Sequence, residues 1–198
     1  VKIEVADQAE AAWASLNTTE AVLEGWVNFE REISVIVARD ASEATQCFEP
    51  VYNIHRHHIL AETHVPAGIS DSVKQQACDM AVTIAHGIQL VGILAVEMFL
   101  QPDGTIRVNE LAPRPHNSGH WTIEAAATSQ FEQHIRAICG LGLGDVATLC
   151  PAVMYNLIGD DVLALDAYYA NPKAHVHLYG KDAVKAGRKM GHVTILKL

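Results

Sequence analysis

The chain of 198 residues has no CxxC pair; its four cysteines, Cys47, Cys78, Cys139 and Cys150, are scattered. That spacing indicates neither a thiolate zinc site nor a disulfide scaffold, so a reducing compartment, the cytoplasm, is expected. Positive charge is scarce as well. Fourteen Lys and Arg against 23 Asp and Glu leave a formal net charge of -9, with the basic residues dispersed along the chain. A nucleic-acid polymer demands a clustered basic face, and none is present, whereas a small anion needs only local charge. No apolar run approaches the roughly 20 residues that span a bilayer, and VKIEVADQAEAAW lacks a signal-peptide layout, so no membrane partner is expected. Internal repeats and low-complexity tracts are missing too. There is no initiating Met, and VKIEV reads as a strand cut at its beginning, which leads to the expectation of a fragment.

What is present is a globular pattern. Hydrophobic residues make up 49% of the chain and charged ones 19%, enough for one domain, or one with a small companion. After the opening strand, DQAEAAWASL reads as a short Ala-rich helix, and AVLEGWV and REISVIVAR as strands around Asn28-Phe29. In the second strand Ile33, Val35 and Val37 alternate with Glu32, Ser34 and Ile36. CFEPVYNIHRH is a further extended run. The polar start and apolar spacing of SDSVKQQACDMAVTIAHGIQL predict a helix from about Ser70 to Ile88, with Met80 and His86 as core and surface positions. GILAVEMFL, QPDGT and IRVNELA form a hairpin. Ser129-Gln-Phe-Glu132 has capping-box spacing and Gly140 stands where a helix C-cap belongs, so SQFEQHIRAIC is predicted helical. The Gly-rich GLGLGD marks a boundary. Beyond it, VMYNLIG, a short helix in DVLALDAYY, HVHLYG and GHVTILKL suggest a small appended sheet.

The hairpin carries the first chemical signal. With Asp103-Gly104 as the two central residues of a tight turn, Glu97 faces Glu110. Opposed side chains lie about 4.5–5.5 Å apart, where two carboxylates repel unless one is protonated or a cation lies between them. Magnesium suits such a pair, since it takes one or two carboxylates and completes its octahedron with phosphate and water. A wider turn would shift the register and turn one glutamate to solvent; the hairpin alone leaves both readings open. Asn109 would point to the opposite face unless the strand end twists. His57 and His58 read as loop or strand surface, and His175 and His177 as sharing a solvated face.

Several stretches together carry a resemblance: ELAPRPHNSGHWTIEAAATSQFEQHIRAICGLGLG, EGWVNFEREISVIVAR, NIHRHHIL, VGILAVEMFLQPDG and GRKMGH. From about Val22 to His192 the sequence resembles the 5-(carboxyamino)imidazole ribonucleotide synthases, ATP-grasp enzymes of purine biosynthesis. Paired metal carboxylates are common to many ATP-grasp enzymes, while APRPHNSGHWT and GRKMGH look particular to this branch. The resemblance implies an α+β fold. Residues 1–144 would form an ATP-grasp domain, mainly antiparallel sheet with packed helices, and 145–198 a small C-terminal β-rich domain.

It implies a reaction as well: bicarbonate attacks the γ-phosphate of ATP, and the resulting carboxyphosphate supplies carbon dioxide to the amine of 5-aminoimidazole ribonucleotide. The cofactors implied are ATP and magnesium, with manganese as an alternative. Glu97 and Glu110 match metal-binding glutamates, and Asn109, Glu110 and His55 match nucleotide-site positions. Glu24, Gly25, Trp26 and Val27 correspond to the hinge against adenine, and Glu32 to the carboxylate on the ribose hydroxyls. Pro113 and Pro115 stiffen the path beyond Glu110, so Arg114, His116 and Asn117 are presented with little freedom left to lose. Arg114 and His116 would serve both catalysis and substrate binding, with Asn117 and Ser118 beside them and His120 as a structural neighbour. Arg188 and Lys189 would form a second cationic clamp, Lys189 being catalytic too.

A homodimer and a downstream carboxyaminoimidazole ribonucleotide mutase are the implied partners. The family's ATP-binding lysines and Gly-rich flap would precede VKIEV, so weak ATPase activity is expected of this chain by itself. Two other readings stand beside this one. One is a different ATP-grasp ligase, such as the formate-dependent glycinamide ribonucleotide transformylase; the other is a non-catalytic nucleotide-binding module.

Overall fold

The computed structural model describes residues 1–197. Its described strands are β1 Arg31–Arg39, β2 Thr45–Cys47, β3 Val51–Arg56, β4 Ile59–Val65, β5 Gly92–Leu100, β6 Ile106–Ala112, β7 Ala152–Ile158, β8 Ala174–Leu178 and β9 Lys189–Leu196. They make one antiparallel sheet in the order β6-β5-β1-β3-β4-β7-β9-β8, with β2 pairing to β1. The helices are α1 Ala9–Leu16, α2 Asp71–Gly87, α3 Thr122–Ala125, α4 Gln130–Cys139 and α5 Asp166–Tyr169. The strands after residue 145 join this sheet where β7 pairs with β4. Leu198, the last residue of the expected strand, lies outside the described residues.

One face of the sheet is a conventional core. Ile33, Val35 and Val37 of β1 and Leu94, Val96 and Met98 of β5 pack under α2. Helix α2 comes close because Ala77, Ala81 and Ala85, spaced one turn apart, put no bulk on its buried side. Ser70 caps its first turn, its hydroxyl accepting from the Val73 amide at 3.4 Å.

The opposite face changes character along its length. Ala38 and Ile36 of β1, with Ile93 and Ala95 of β5, are sealed by Trp121, Ala125 and Ala126. Trp121 is 1% exposed, and truncating so large a buried ring typically costs about 3–5 kcal/mol. Two residues further along each strand the alternation delivers Ser34 and Glu97, then Glu32 and Phe99. The buried Asn53 amide donates to Ser34 Oγ and accepts from Thr63 Oγ1, both at 2.9 Å, so the polar row is internally bonded. A cleft lined by Glu97 opens where this face turns from apolar to polar.

Four sequence expectations change. Neither VKIEV nor AVLEGWV is a strand; the first is bend and irregular chain, the second irregular, and six of the seven residues of AVLEGWV are exposed. Those segments have the right composition but no neighbouring strand to pair with. Strand β4 went unread because its ILAETHV carries three polar residues within seven. His175 and His177 are half-buried rather than solvated; His177 stacks on His192 at 4.6 Å and meets Glu124 at 2.6 Å.

The fourth change concerns the turn between β5 and β6. Gln101 and Thr105 close it around Pro102, Asp103 and Gly104, so it has three residues rather than two. Gly104 takes φ +84, as such a loop requires.

Candidate functional site

The wider turn alone would have placed Glu97 opposite Asn109. A bulge repairs the register: Met98 pairs with Val108, whereas Glu97 pairs with Glu110, leaving Asn109 as the extra residue. Bulges re-aim side chains at functional positions. Both carboxylates consequently line one cleft of about 500 Å³, together with His55, His58, His116, Lys181, Gly187 and Lys189. The expected facing pair is present, by a route the sequence reading had not used.

His116 closes the cleft from the loop beyond β6. Its Nδ1 accepts from the Ser118 amide at 3.4 Å, which leaves the proton on Nε2, 3.1 Å from Glu97 Oε1. This contact holds the Glu97 carboxyl below its ordinary range, against the burial that would raise it; the charges of His55 and Lys189 act in the same direction. Lys189, the first residue of β9, is half-buried, and desolvation lowers its ammonium pKa while Glu97 partly restores it. A half-buried cation and a half-buried carboxylate thus line the same cleft.

The remaining site residues divide clearly. His55 Nδ1 lies 2.5 Å from Glu32 Oε2, joining two of the nucleotide-side positions. Ser118 is fully buried, with its hydroxyl 2.9 Å from His116 Nδ1, so it reaches the cleft through that imidazole rather than directly. The Asn117 amide is buried with neither its oxygen nor its nitrogen partnered. Arg114 is exposed and donates to the Pro115 carbonyl at 3.1 Å. Arg188 is exposed and donates to the Ala183 carbonyl at 3.3 Å, so the pairing of Arg188 with Lys189 as one clamp is not seen; Lys189 lines the cleft and Arg188 does not.

Glu24, Gly25 and Trp26 are exposed and Val27 half-buried, away from the cleft. Just beyond them Phe29 stacks on Phe99 at 4.5 Å and the Glu30 amide bonds the Leu100 carbonyl, tying the segment to the end of β5.

Lys181 and His58 were missed by the sequence reading. Lys181 donates to the Lys189 carbonyl. His57 and His58 form the two-residue turn between β3 and β4, both with left-handed φ (52° and 62°), which carries His58 to the rim of the cleft. Lys181 lies outside the recognised motifs, and His58, though inside NIHRHHIL, reads as surface until the turn that carries it to the cleft is seen.

Among the described residues no group of three or more His, Cys, Asp or Glu is placed to hold a metal ion. Two opposed carboxylates beside an open cleft are nevertheless a donor set that fits magnesium, which draws its other oxygens from phosphates and water. An antiparallel sheet bearing such a pair, with the imidazole of His116 and the ammonium of Lys189 brought to it from two other segments, is suited to binding phosphate groups through a divalent cation. The chain belongs to the ATP-grasp family, whose domain model matches residues 2–131.

A second model, the phosphoribosylaminoimidazole carboxylase C-terminal domain, matches residues 152–198. The chain is 49% identical to the N5-carboxyaminoimidazole ribonucleotide synthase of Bacillus subtilis, over 96% of this chain and 50% of that protein. The solved ADP complex of purK, an N5-carboxyaminoimidazole ribonucleotide synthetase, superposes with a TM-score of 0.93 at 47% identity, covering 98% of this chain and 52% of the other. The Aspergillus clavatus N5-carboxyaminoimidazole synthase, solved with ADP and 5-aminoimidazole ribonucleotide, gives a TM-score of 0.83 at 36% identity, covering 87% and 48%. The chain spans about half the length of the curated relatives it matches.

Proposed function

We propose that the protein carboxylates 5-aminoimidazole ribonucleotide with bicarbonate at the expense of ATP, giving N-carboxyaminoimidazole ribonucleotide, ADP and phosphate. The observation that carries this reading is the meeting of Glu97 and Glu110 across the β-bulge, in a cleft walled by His116 and Lys189. The Aspergillus relative solved with ADP and the same ribonucleotide supports the choice of substrate.

A bicarbonate oxygen forms a bond to the γ-phosphorus as the bond to the ADP oxygen breaks. The carboxyphosphate then loses carbon dioxide, its former carbonate C–O bond electrons going to phosphate. The ribonucleotide amine bonds to the carbon dioxide and gives up a proton, for which phosphate is the acceptor. Magnesium, held by Glu97 and Glu110, would offset charge developing on the transferred phosphoryl group. With Glu97 committed to magnesium, the His116 Nε2–H that faces it here would be freed for bicarbonate and carboxyphosphate oxygens, while Lys189 supplies a fixed positive charge to the same anion. Arg114 would swing from the Pro115 carbonyl onto carboxylate or phosphate oxygens, with Asn117 lending its unpartnered amide and Arg188 an outer charge for the ribotide phosphate.

On the nucleotide side, Glu32, with His55 bonded to it, holds the ribose hydroxyls, Asn109 is a further nucleotide contact, and Glu24 to Val27 cover adenine. The reading extends to a homodimer in the cytoplasm that passes its carbamate to a carboxyaminoimidazole ribonucleotide mutase. The deciding measurement is phosphate release by the whole protein, with and without 5-aminoimidazole ribonucleotide and bicarbonate. Release that ignores both would refute the proposal.

A further inference from the structure

Helix α4 buries the wrong residues for an ordinary amphipathic helix: Gln130 and Gln133 are fully buried, while Phe131, Ile135 and Ile138 are 40 to 51% exposed. Each glutamine grips a distant backbone. Gln133 donates to the Gly144 carbonyl at 3.0 Å and accepts from its amide at 2.8 Å. Gln130 does the same to His116, accepting from its amide at 2.9 Å and donating to its carbonyl at 2.8 Å. The Gln130 nitrogen also donates to His120 Nδ1 at 3.0 Å. This fixes His120 as the neutral imidazole with its proton on Nε2.

His120 then stacks on His192 at 4.6 Å, and His192 Nδ1 meets the Tyr179 hydroxyl at 2.9 Å. His192 lies three residues beyond Lys189 on β9. Space is tight throughout, since a Cβ on Gly119 would stand 2.6 Å from Gln130 Oε1 and 2.1 Å from Ile36 Cδ1.

We infer that Gln130 is a positioning residue: its side-chain amide sets the His116 backbone, aims the His116 imidazole at Glu97, and through His120 and His192 registers the His116 loop against the strand that carries Lys189. A helix residue that spends every hydrogen bond of its amide on one loop fixes that loop more tightly than apolar packing would, because an amide is satisfied in one orientation. The consequence for turnover rests on the carboxylation reading; the positioning itself does not.

The test uses the whole protein with Gln130→Met, which keeps length and removes the bonds, and Gln130→Glu, which keeps shape. In Gln130→Met, amide hydrogen exchange at His116 should quicken by about tenfold or more, while exchange at Val96 in the core stays slow. The kcat for ribonucleotide carboxylation should fall about tenfold or more, with KM for ATP within about twofold. The titratable groups facing position 130 are His116 and His120. A glutamate there accepts from the His116 amide but can donate to the His116 carbonyl only when protonated. Activity of Gln130→Glu relative to wild type should therefore climb as pH falls, whereas Gln130→Met should show the same relative loss at every pH.

Unchanged exchange at His116 would overturn the inference, as would quickened exchange with unchanged kcat, or a Gln130→Glu deficit that ignores pH. If Gln130→Met fails to fold, Gln130→Glu on the acid side decides. If wild type releases no phosphate in response to the ribonucleotide and bicarbonate, the carboxylation reading falls, and the exchange at His116 still decides the role of Gln130.

Discussion

Residues 22–30 and residues 113–122 both carry strong motifs, yet the fold treats them oppositely. Val22 and Leu23 are each 84% exposed and Trp26 is 74% exposed, with contacts gathered at Phe29 and Glu30. Trp121, Ser118 and Thr122 are at most 1% exposed, and the loop between them is bonded to α4 and stacked against β9. The comparison separates two demands. Stabilising charge that develops in a transition state requires dipoles and cations already fixed in place, because reorganisation would consume the benefit. Binding a flat, apolar base requires surface, which can be brought up from an exposed segment.

The strongest way to break this comparison is at the facing carboxylates proposed to hold magnesium. Glu97→Gln or Glu110→Gln in the whole protein should lower ribonucleotide-dependent phosphate release by at least about a hundredfold. Equal losses for the two would support a shared cation; a near-normal rate for either would leave one glutamate outside the site.

The buried side of the comparison should also announce itself in acid. Burial drives His120 down to about 4 and His192 down to about 3, against about 6.5 when unfolded. Both folded values are depressed, so between them and about 6.5 the unfolded chain binds more protons. Stability is accordingly full above pH 6.5 and declines as pH falls through 6 and 5. Each imidazole should cost about 2 kcal/mol at pH 5 relative to pH 7. Urea midpoints at the two pH values measure this, and His192→Gln should flatten the dependence.

Lys189→Ala should lower carboxylation about tenfold or more while ATP affinity, checked separately, holds, since Lys189 lines the cleft and residues 24–27, proposed to cover adenine, do not. Lys189→Arg should rescue incompletely, because a planar fork does not replace a compact ammonium in a half-buried position. The smallest effect on folding belongs to the exposed segment: Trp26→Ala should change unfolding free energy by under about 0.5 kcal/mol. Its effect should appear in weaker ATP binding by titration calorimetry. A large loss of stability would show that Trp26 is packed after all.

Most helices and the β5–β6 hairpin were legible from local pattern. Ser129 caps α4 where its capping-box spacing placed it, Ser70 stands at the predicted start of α2 and caps it, and both helices run close to their predicted limits. Residues 21–27 show where such reading stops, because a β-branched, aromatic run becomes a strand only if a neighbour offers its backbone. In the cleft, Glu97, Glu110, His116 and Lys189 were legible as motif members. Gln130, Lys181 and His58 were not, since a glutamine on a helix or a lysine in a loop looks like surface until its partners are known.

The amino-acid sequence by itself determined the helix caps, the alternation that makes one sheet face a core, and the side-chain chemistry available to the cleft. Each depends on neighbours within a few residues along the chain. The facing of Glu97 and Glu110 belongs to the tertiary structure, because a three-residue turn and a bulge at Asn109 had to compensate for each other. So does the assembly of the cleft wall, in which a loop after β6, held by a buried glutamine on α4, and a lysine on β9 converge from positions up to 73 residues apart. Such distances are closed only by packing, and local preference carries no information about which distant groups the packed chain will bring within hydrogen-bonding range.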